Sequence, residues 1–446
     1  MPSVDGIVSG LNTTSLIDAI VTAQRVTVNV MEAHQEEFEL QREAVAGVKN
    51  RLVELTDAIG QMGTAEEFVA YSVAGNSAQY TLTAGAGATP GSYSIQVERL
   101  ATAQSTSSQG FNDPNASVLG TGTVTLTTAQ GVQTDVTVDA SNNSLTGLAA
   151  ELNEIDGISA YVLDTGAAID RYRLIVQGEG TGAQNAFTLD TSALAGGTAL
   201  TLNNDIAAVD AQLKIGGVTV LSGSNTLTDV VPGLTIELHA AGASADTATV
   251  ALDTDETRAK LEAVIEAYNS ALGYYAQMSV YNTTEDIRGP LFGESTTRRA
   301  IEDLGGMIAN AYPVPGTDLR SLAELGVSTG RDGTLTLDTA AFNKAFEADP
   351  DSVTALLTDK TGPLAQISTR IEELYVDAET GSLIARDESL QSMIEDLDEQ
   401  IATAELRIED QAQRLRDQFN AMEMLLGQIQ STQSYLASFF ATPAPE

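Results

Sequence analysis

The sequence predicts an α+β multidomain protein with a terminal α-helical coiled-coil stalk, a helical leg domain and two nested β-rich head domains. Three observations carry this reading. Both ends place apolar residues at every seventh position, the period of a helical seam. The stretch from about 71 to 252 alternates apolar and polar residues between Gly, Asn and Asp turns, the pattern of half-buried strands. The chain has 446 residues, 43% of them hydrophobic, enough for about three domains with real cores.

Taken from the N-terminus, residues 1–70 form an export segment followed by a coiled-coil helix. MPSVDGIVSGLNTTSLIDAI lacks the basic start and long apolar core of a cleaved secretion signal. Further on, Ile17, Gln24, Met31, Phe38, Val45, Leu52 and Ile59 recur every seven residues. Ile20, Thr27, His34, Gln41, Val48, Leu55 and Met62 form the adjacent row. The firmly apolar portion, with Val45, Leu52, Leu55 and Ile59 as candidate assembly residues, begins at Val45. His34 is read as a seam or surface residue with no chemistry of its own.

The β-rich head opens with residues 71–115, continues through an outer inserted domain at 116–204 and returns at 205–252. Its strand-like segments include GSYSIQVERL, GTVTLTT, YRLIVQGEG and GLTIELHAA. One short helix interrupts them, with Ser144 as its N-cap. His239 lies at a strand end and is read as structural.

A helical leg domain follows over 253–380. Asp253 and Glu256 suit a capping box, and Leu261, Val264, Ile265, Tyr268 and Leu272 mark one helix face. A second helix covers about 296–311. GVSTGRDGTLTLD reads as a hairpin turning at Arg331–Asp332–Gly333. Short helices follow around Ala340–Glu347, Ser352–Leu357 and Pro363–Val376.

Residues 381–446 form the C-terminal coiled-coil helix. Ile394, Ile401, Ile408, Leu415, Met422, Ile429 and Leu436 occupy one seam row. Leu390, Leu397, Ala404, Gln411, Gln418, Leu425, Thr432 and Phe439 occupy the other. The polar members weaken a permanent zipper and favour one register. A helix interrupted in this way does not hold alone, so the two ends are expected to pair and to complete their order inside an assembly.

Composition removes several kinds of chemistry. There is no Cys and there are two His, which excludes thiolate nucleophiles and multi-His metal sites. No Gly precedes any Lys, so no Walker A loop exists, and no serine nucleophile elbow is expected. With 61 acidic against 22 basic residues the net charge is −39. Such a chain repels nucleic acid and anionic membrane surfaces, and no apolar run is long enough for membrane insertion. The expectation is a protein that is not an enzyme, with no catalytic residues, no metal and no cofactor.

GIVSGLNTTSLIDAIV, PGSYSIQVERLATAQS, IGGVTVLSGSNTLTDVVPGLTIEL, AYNSAL, GPLFGESTTRR, LAELGVSTGRDGTLTLD, GSLIARDESL and RLRDQFNAMEMLLGQIQSTQSYL, in this order, resemble the bacterial flagellar filament cap family (FliD, flagellar hook-associated protein two). SLTGLAAELNEIDGISAYVLD is similar to a repeat shared with flagellins. The sequence departs from the family at Asn12, where Asp is common, and near Thr27, where Pro is common. The resemblance implies a ring-shaped homo-oligomer of about five or six copies at the distal filament tip. There it promotes folding and insertion of exported flagellin. The same resemblance implies contact with hook–filament junction proteins and an export chaperone. It also implies an extracellular, flagellar location reached without a cleaved signal peptide. An alternative reading is a tip adhesin that holds host glycan or protein through the β-rich head. A secreted hydrolase using paired carboxylates is a further alternative, weakened because 61 acidic residues make chance pairs common.

Overall fold

The computed structural model describes residues 10–282 and 287–440. Two compact units emerge. One is continuous, Thr64–Thr257; the other joins the segment up to Gly63 with the segment from Arg258 onward.

The continuous unit holds two β lobes, each built from two antiparallel sheets. In the inner lobe a five-stranded sheet runs in the order Tyr71–Ala74, Asp246–Leu252, Gly91–Arg99, Ala211–Ile215, Val218–Ser222. The second sheet is Thr226–Val231, Leu234–Leu238, Tyr80–Ala84. Alternation along these strands delivers Leu82, Ile95, Val97, Leu213, Ile236 and Val250 to a common core, as period-2 side-chain geometry requires.

The outer lobe lies within the inner one in chain order. Its four-stranded sheet runs Leu202–Ile206, Ala103–Ser108, Tyr172–Thr181, Ile158–Asp164. Its three-stranded sheet runs Gln133–Val138, Gly122–Thr128, Phe187–Asp190. The helix Leu145–Leu152, capped by the Ser144 side chain accepting from Gly147 N–H, adds Leu145, Leu148 and Leu152 to that core. The sequence reading began the outer domain at 116. The structure instead gives Ala103–Ser108 to the outer sheet. The break falls at Ala101, whose N–H donates to Asn225 Oδ1 (2.7 Å) and whose carbonyl accepts from Asn225 Nδ2 (3.0 Å). A side-chain amide thus occupies the place of a neighbouring strand and ends the inner strand there.

The other unit is helical. The helix Thr254–Met278 begins where Asp253 Oδ1 accepts from Glu256 N–H at 2.9 Å. Ser295–Ala309 follows, then Thr339–Ala348, Pro350–Thr358 and Pro363–Ile371. Asp338 and Asp349 cap two of these through their carboxylates, and Pro350 stands at the first helical position, where its missing N–H costs nothing. Val327–Thr329 and Leu335–Leu337 form the expected hairpin, with Gly333 at φ 86° in its turn. The helix foreseen to run from Pro363 to Val376 closes with a π turn over Glu372–Val376. Tyr375, 3% exposed in that turn, donates its hydroxyl to Asp303. The long terminal helices are Thr13–Gly60 and Ser382–Phe440.

Candidate functional site

The two terminal helices pack along each other, and four polar contacts give their register. Arg25 Nη2 lies 3.3 Å from Glu405 Oε1, Gln35 Nε2 donates to Asp398 Oδ1 at 2.8 Å, and Arg42 Nε donates to Asp387 Oδ1 at 3.0 Å. Arg386 Nη2 donates to Gln41 Oε1 at 3.0 Å. Residue numbers rise on one helix as they fall on the other, so the pair is antiparallel. The Arg25 and Gln35 contacts are exposed and contribute little stability singly, and the Arg42 and Arg386 contacts are part-buried; together they fix the alignment of an apolar seam.

The seam has a firm end and an open end. On the C-terminal helix Leu383, Leu390 and Ile394 are buried, while Leu397, Ile401, Ile408 and Leu415 are half-buried. Past Leu415 the covered row shifts to Phe419, Met422 and Leu426, all half-buried. Leu425, Ile429 and Leu436 face solvent at 59%, 54% and 49% exposure. Gln411 is half-buried and Gln418 exposed. The side chain of Phe439 lies outside the described residues.

On the N-terminal helix Ile17 and Val28 are buried, and Gln24, Met31 and Phe38 half-buried. Thr27 and His34, assigned to the second row from sequence, are exposed. Val28, one position on, takes the covered place, because the antiparallel partner contacts a face rotated by about 100° from that row.

Val45, Leu52, Leu55 and Ile59 are all buried, at 0%, 0%, 1% and 9%. Extending the register puts Leu52, Leu55 and Ile59 beyond Ser382, where the C-terminal helix begins. There the N-terminal helix packs against Pro363–Ile371 and the Glu372–Val376 turn. One continuous stripe therefore serves two neighbours. On its flank Gly47 leaves room for the Tyr274 ring, with the Arg51 guanidinium 3.8 Å above that ring's centre.

A polar joint ties the C-terminal helix to the rest of its unit. Glu294, 7% exposed, accepts from Thr296 N–H (3.1 Å), Thr297 N–H (2.6 Å) and the Thr297 hydroxyl (2.7 Å), capping Ser295–Ala309. Arg386 Nε lies 3.6 Å from Glu294 Oε1. Burial works to raise the Glu294 pKa, but these hydrogen bonds overcome it and hold the carboxyl below its usual value. Arg386 thus bridges a helix cap and the N-terminal helix.

No group of three or more His, Asp or Glu poised for a metal occurs among the described residues. No described helix is long and apolar enough to cross a membrane. His239 Nε2 lies 2.8 Å from Thr81 Oγ1, and His34 is exposed. One correction to the sequence reading is needed: Gly326–Val327–Ser328–Thr329–Gly330 does match a serine nucleophile string. It lies in the hairpin rather than at a strand-to-helix elbow, with Ser328 Oγ 2.9 Å from Thr336 Oγ1, so it lacks the sharp strand-to-helix turn that string requires.

Comparison with known proteins gives a consistent result. Residues 208–431 match the family described as Flagellar hook-associated protein 2 C-terminus, and residues 9–104 match its N-terminus counterpart. Flagellar hook-associated protein 2 of Escherichia coli (strain K12) is 28% identical over 460 residues, covering 98% of this chain and 97% of that protein. A-type flagellar hook-associated protein 2 of Pseudomonas aeruginosa is 27% identical over 472 residues, covering 98% and 96%. The crystal structure of the flagellar cap protein FliD D1-D2-D3 domains from Escherichia coli superposes with a TM-score of 0.68 at 26% identity. It covers 78% of this chain and 99% of that one.

Proposed function

The chain belongs to the flagellar hook-associated protein 2 family, a family of flagellar cap proteins, and from that premise we propose that it caps the growing filament as a ring and promotes insertion of exported flagellin. The observation that carries this reading is the pair of terminal helices. Their seam is firm near Leu390 and Ile394 and open towards Leu425, Ile429 and Leu436. Helices of this kind suit legs that engage the last flagellin subunits, release and engage again. A fully apolar zipper would hold too tightly for such a cycle, and the polar interruption at half-buried Gln411 weakens it.

No bond is made or broken in this scheme. The free energy comes from burial of flagellin's own apolar surface as it folds and packs, while the β lobes shield the site where that happens. Assembly by identical copies favours closed rotational symmetry, and the proposed location is the distal tip, reached through the flagellar export apparatus. The adhesive alternative gains no support from the relatives' descriptions.

The test is complementation of a strain lacking its cap gene. Filaments of normal length are the expected result. Flagellin shed into the medium as monomer, despite secretion of this protein, overturns the proposal.

A further inference from the structure

The inner lobe leaves a strand edge open. Val218–Ser222 ends the five-stranded sheet, joined to Ala211–Ile215 by a two-residue turn with Gly216 at φ 57° and Gly217 at φ 84°. In such a hairpin the closing pair, Ile215 and Val218, exchanges both backbone hydrogen bonds. Alternation then turns the N–H and C=O groups of Val220 and Ser222 towards the neighbouring strand and those of Thr219 and Leu221 outward. These outward groups have no partner among the described residues. Val218 and Leu221 stand beside them at 68% and 59% exposure.

Nothing in the sequence guards this edge. The edge strands of the outer lobe are Leu202–Ile206, Ile158–Asp164, Gln133–Val138 and Phe187–Asp190, and each carries an aspartate: Asp205, Asp164, Asp135 and Asp190. Charge on an edge strand keeps other chains from adding to it. VTVLS has no charge, no Pro and no bulge against its neighbour. An unguarded edge of this kind takes an extended polypeptide as a further strand.

Where the strand ends, at Leu221 and Ser222, a cleft of about 760 Å³ opens between the inner and outer lobes. Its walls include Glu179, Gln184, Asn185 and Asp210, and no Lys or Arg lines it. Those walls are fixed. Ala183 N–H donates to Asp210 Oδ1 at 2.7 Å, and the Thr181 hydroxyl donates to the Gly223 carbonyl at 2.7 Å. Gly182, at φ 93°, lies so close to Gly223 that a Cβ there would stand 2.5 Å from the Gly223 Cα. Two carboxylates at a preformed opening favour a cation, with little ordering cost on binding.

We propose that the edge of Val218–Ser222 and this cleft form one docking surface for an extended, uncharged, β-prone stretch of polypeptide that begins with Lys or Arg. The pairings within this sheet are antiparallel, and an antiparallel guest places its N-terminal end at the cleft. Backbone pairing attaches the guest without reading most of its sequence, and the cleft selects its leading charge. A second copy of the same edge brings no cation, and each copy carries a net charge of −39. Under the capping reading, on which this occupant rests, the guest is exported flagellin before it folds, when its strand groups are still unpaired.

The probe is the N-acetylated peptide Lys-Val-Thr-Val-Thr-Val with a C-terminal fluorophore, titrated with the full-length chain and followed by anisotropy. Saturable binding is expected. In the antiparallel register its two threonines face Leu221 and Thr219, so N-methylation of both threonines is expected to weaken binding about tenfold or more. The N–H groups of the first two valines point to solvent, and N-methylation there leaves binding unchanged. Leu221→Pro removes an outward N–H and spares the ladder, and is expected to weaken binding by about tenfold. Asp210→Asn keeps the bond from Ala183 and removes a charge. It is expected to weaken binding of the Lys peptide and not of one with norleucine in place of Lys. Binding that tolerates the methylated threonines, or no binding, overturns the proposal. So does a dimer that Leu221→Pro breaks while no peptide binds, which assigns the edge to a second copy. Complementation of the cap-less strain is read separately. Filaments restored while the peptide fails to bind removes this surface alone, whereas peptide bound while flagellin is shed removes the capping role and with it flagellin as the guest.

Discussion

Asn269 grips Leu335 by both backbone groups. Its Nδ2 donates to the Leu335 carbonyl and its Oδ1 accepts from the Leu335 N–H, each at 2.8 Å. The same device recurs where Asn153 holds Ala160, Asn225 holds Ala101 and Gln104 holds Phe187. A side-chain amide presents one donor and one acceptor at the spacing of a strand, and so it satisfies backbone groups that no neighbouring strand reaches.

Removing such a grip leaves two part-buried backbone groups unpaired. Asn269→Ala is expected to cost about 2–4 kcal/mol, from about 1–3 per orphaned group after partial rehydration. Denaturant unfolding measures the loss. Hydrogen exchange should speed up selectively at Leu335 and its partner strand Val327–Thr329, which Asn269 holds to the long helix.

Acid should weaken the Glu294 joint. The folded state holds this carboxyl below its usual value of 4.5, so the ionised form is favoured in the fold. The stabilisation is complete above the unfolded pKa and is lost as pH falls through the lowered folded one. Glu294→Gln is expected to lower the melting temperature at pH 7 and to flatten its decline in acid, as read by thermal scans from pH 7 to 3.

Alkali should act at Tyr375. Burial, then the hydrogen bond to Asp303 and its charge, push this hydroxyl far above its usual 10.0. The protonated form is favoured in the fold, so its contribution is complete below about 10 and is lost as pH rises beyond that towards the folded value. Tyr375→Phe is expected to cost about 1–2 kcal/mol at neutral pH and to remove one late-titrating tyrosine from the ultraviolet titration. A wild-type tyrosine titration completed at the ordinary value contradicts this.

Two leucines of similar sequence standing should part company. Leu52→Ala empties a fully buried site (0% exposed) and is expected to cost about 2–5 kcal/mol. Leu436 is 49% exposed, so Leu436→Ala should leave the melting temperature within a degree or so, about 0.5 kcal/mol. Its effect is expected instead in filament length after complementation.

Sequence periodicity located both terminal helices, because a row such as Val45, Leu52 and Ile59 is visible without knowing its partner. It did not reveal that the row changes neighbours along its length, which depends on where Ser382 starts the other helix. The shift of the C-terminal seam after Leu415 was hidden for a similar reason: Leu425 and Ile429 continue the seven-residue count, while the covered face follows the helix's own 3.6-residue turn. The amide grips were illegible in principle, as Asn225 and Ala101 are 124 residues apart. Turn chemistry fared better, and Gly333 and the Ser144 cap were readable from residue type alone.

The helix Thr13–Gly60 is unbroken over 48 residues, about 72 Å at the usual rise. Its last third is clamped in the helical core, and its first two-thirds lie along the C-terminal helix. A rod fixed at one end acts as a lever: a tilt of a few degrees at Val45 carries Leu16 through several ångströms. Whatever grips the tip therefore tugs on the core packing around Leu52, and a loosened core would let the tip swing. Grip strength and internal rigidity are mechanically one property in this chain.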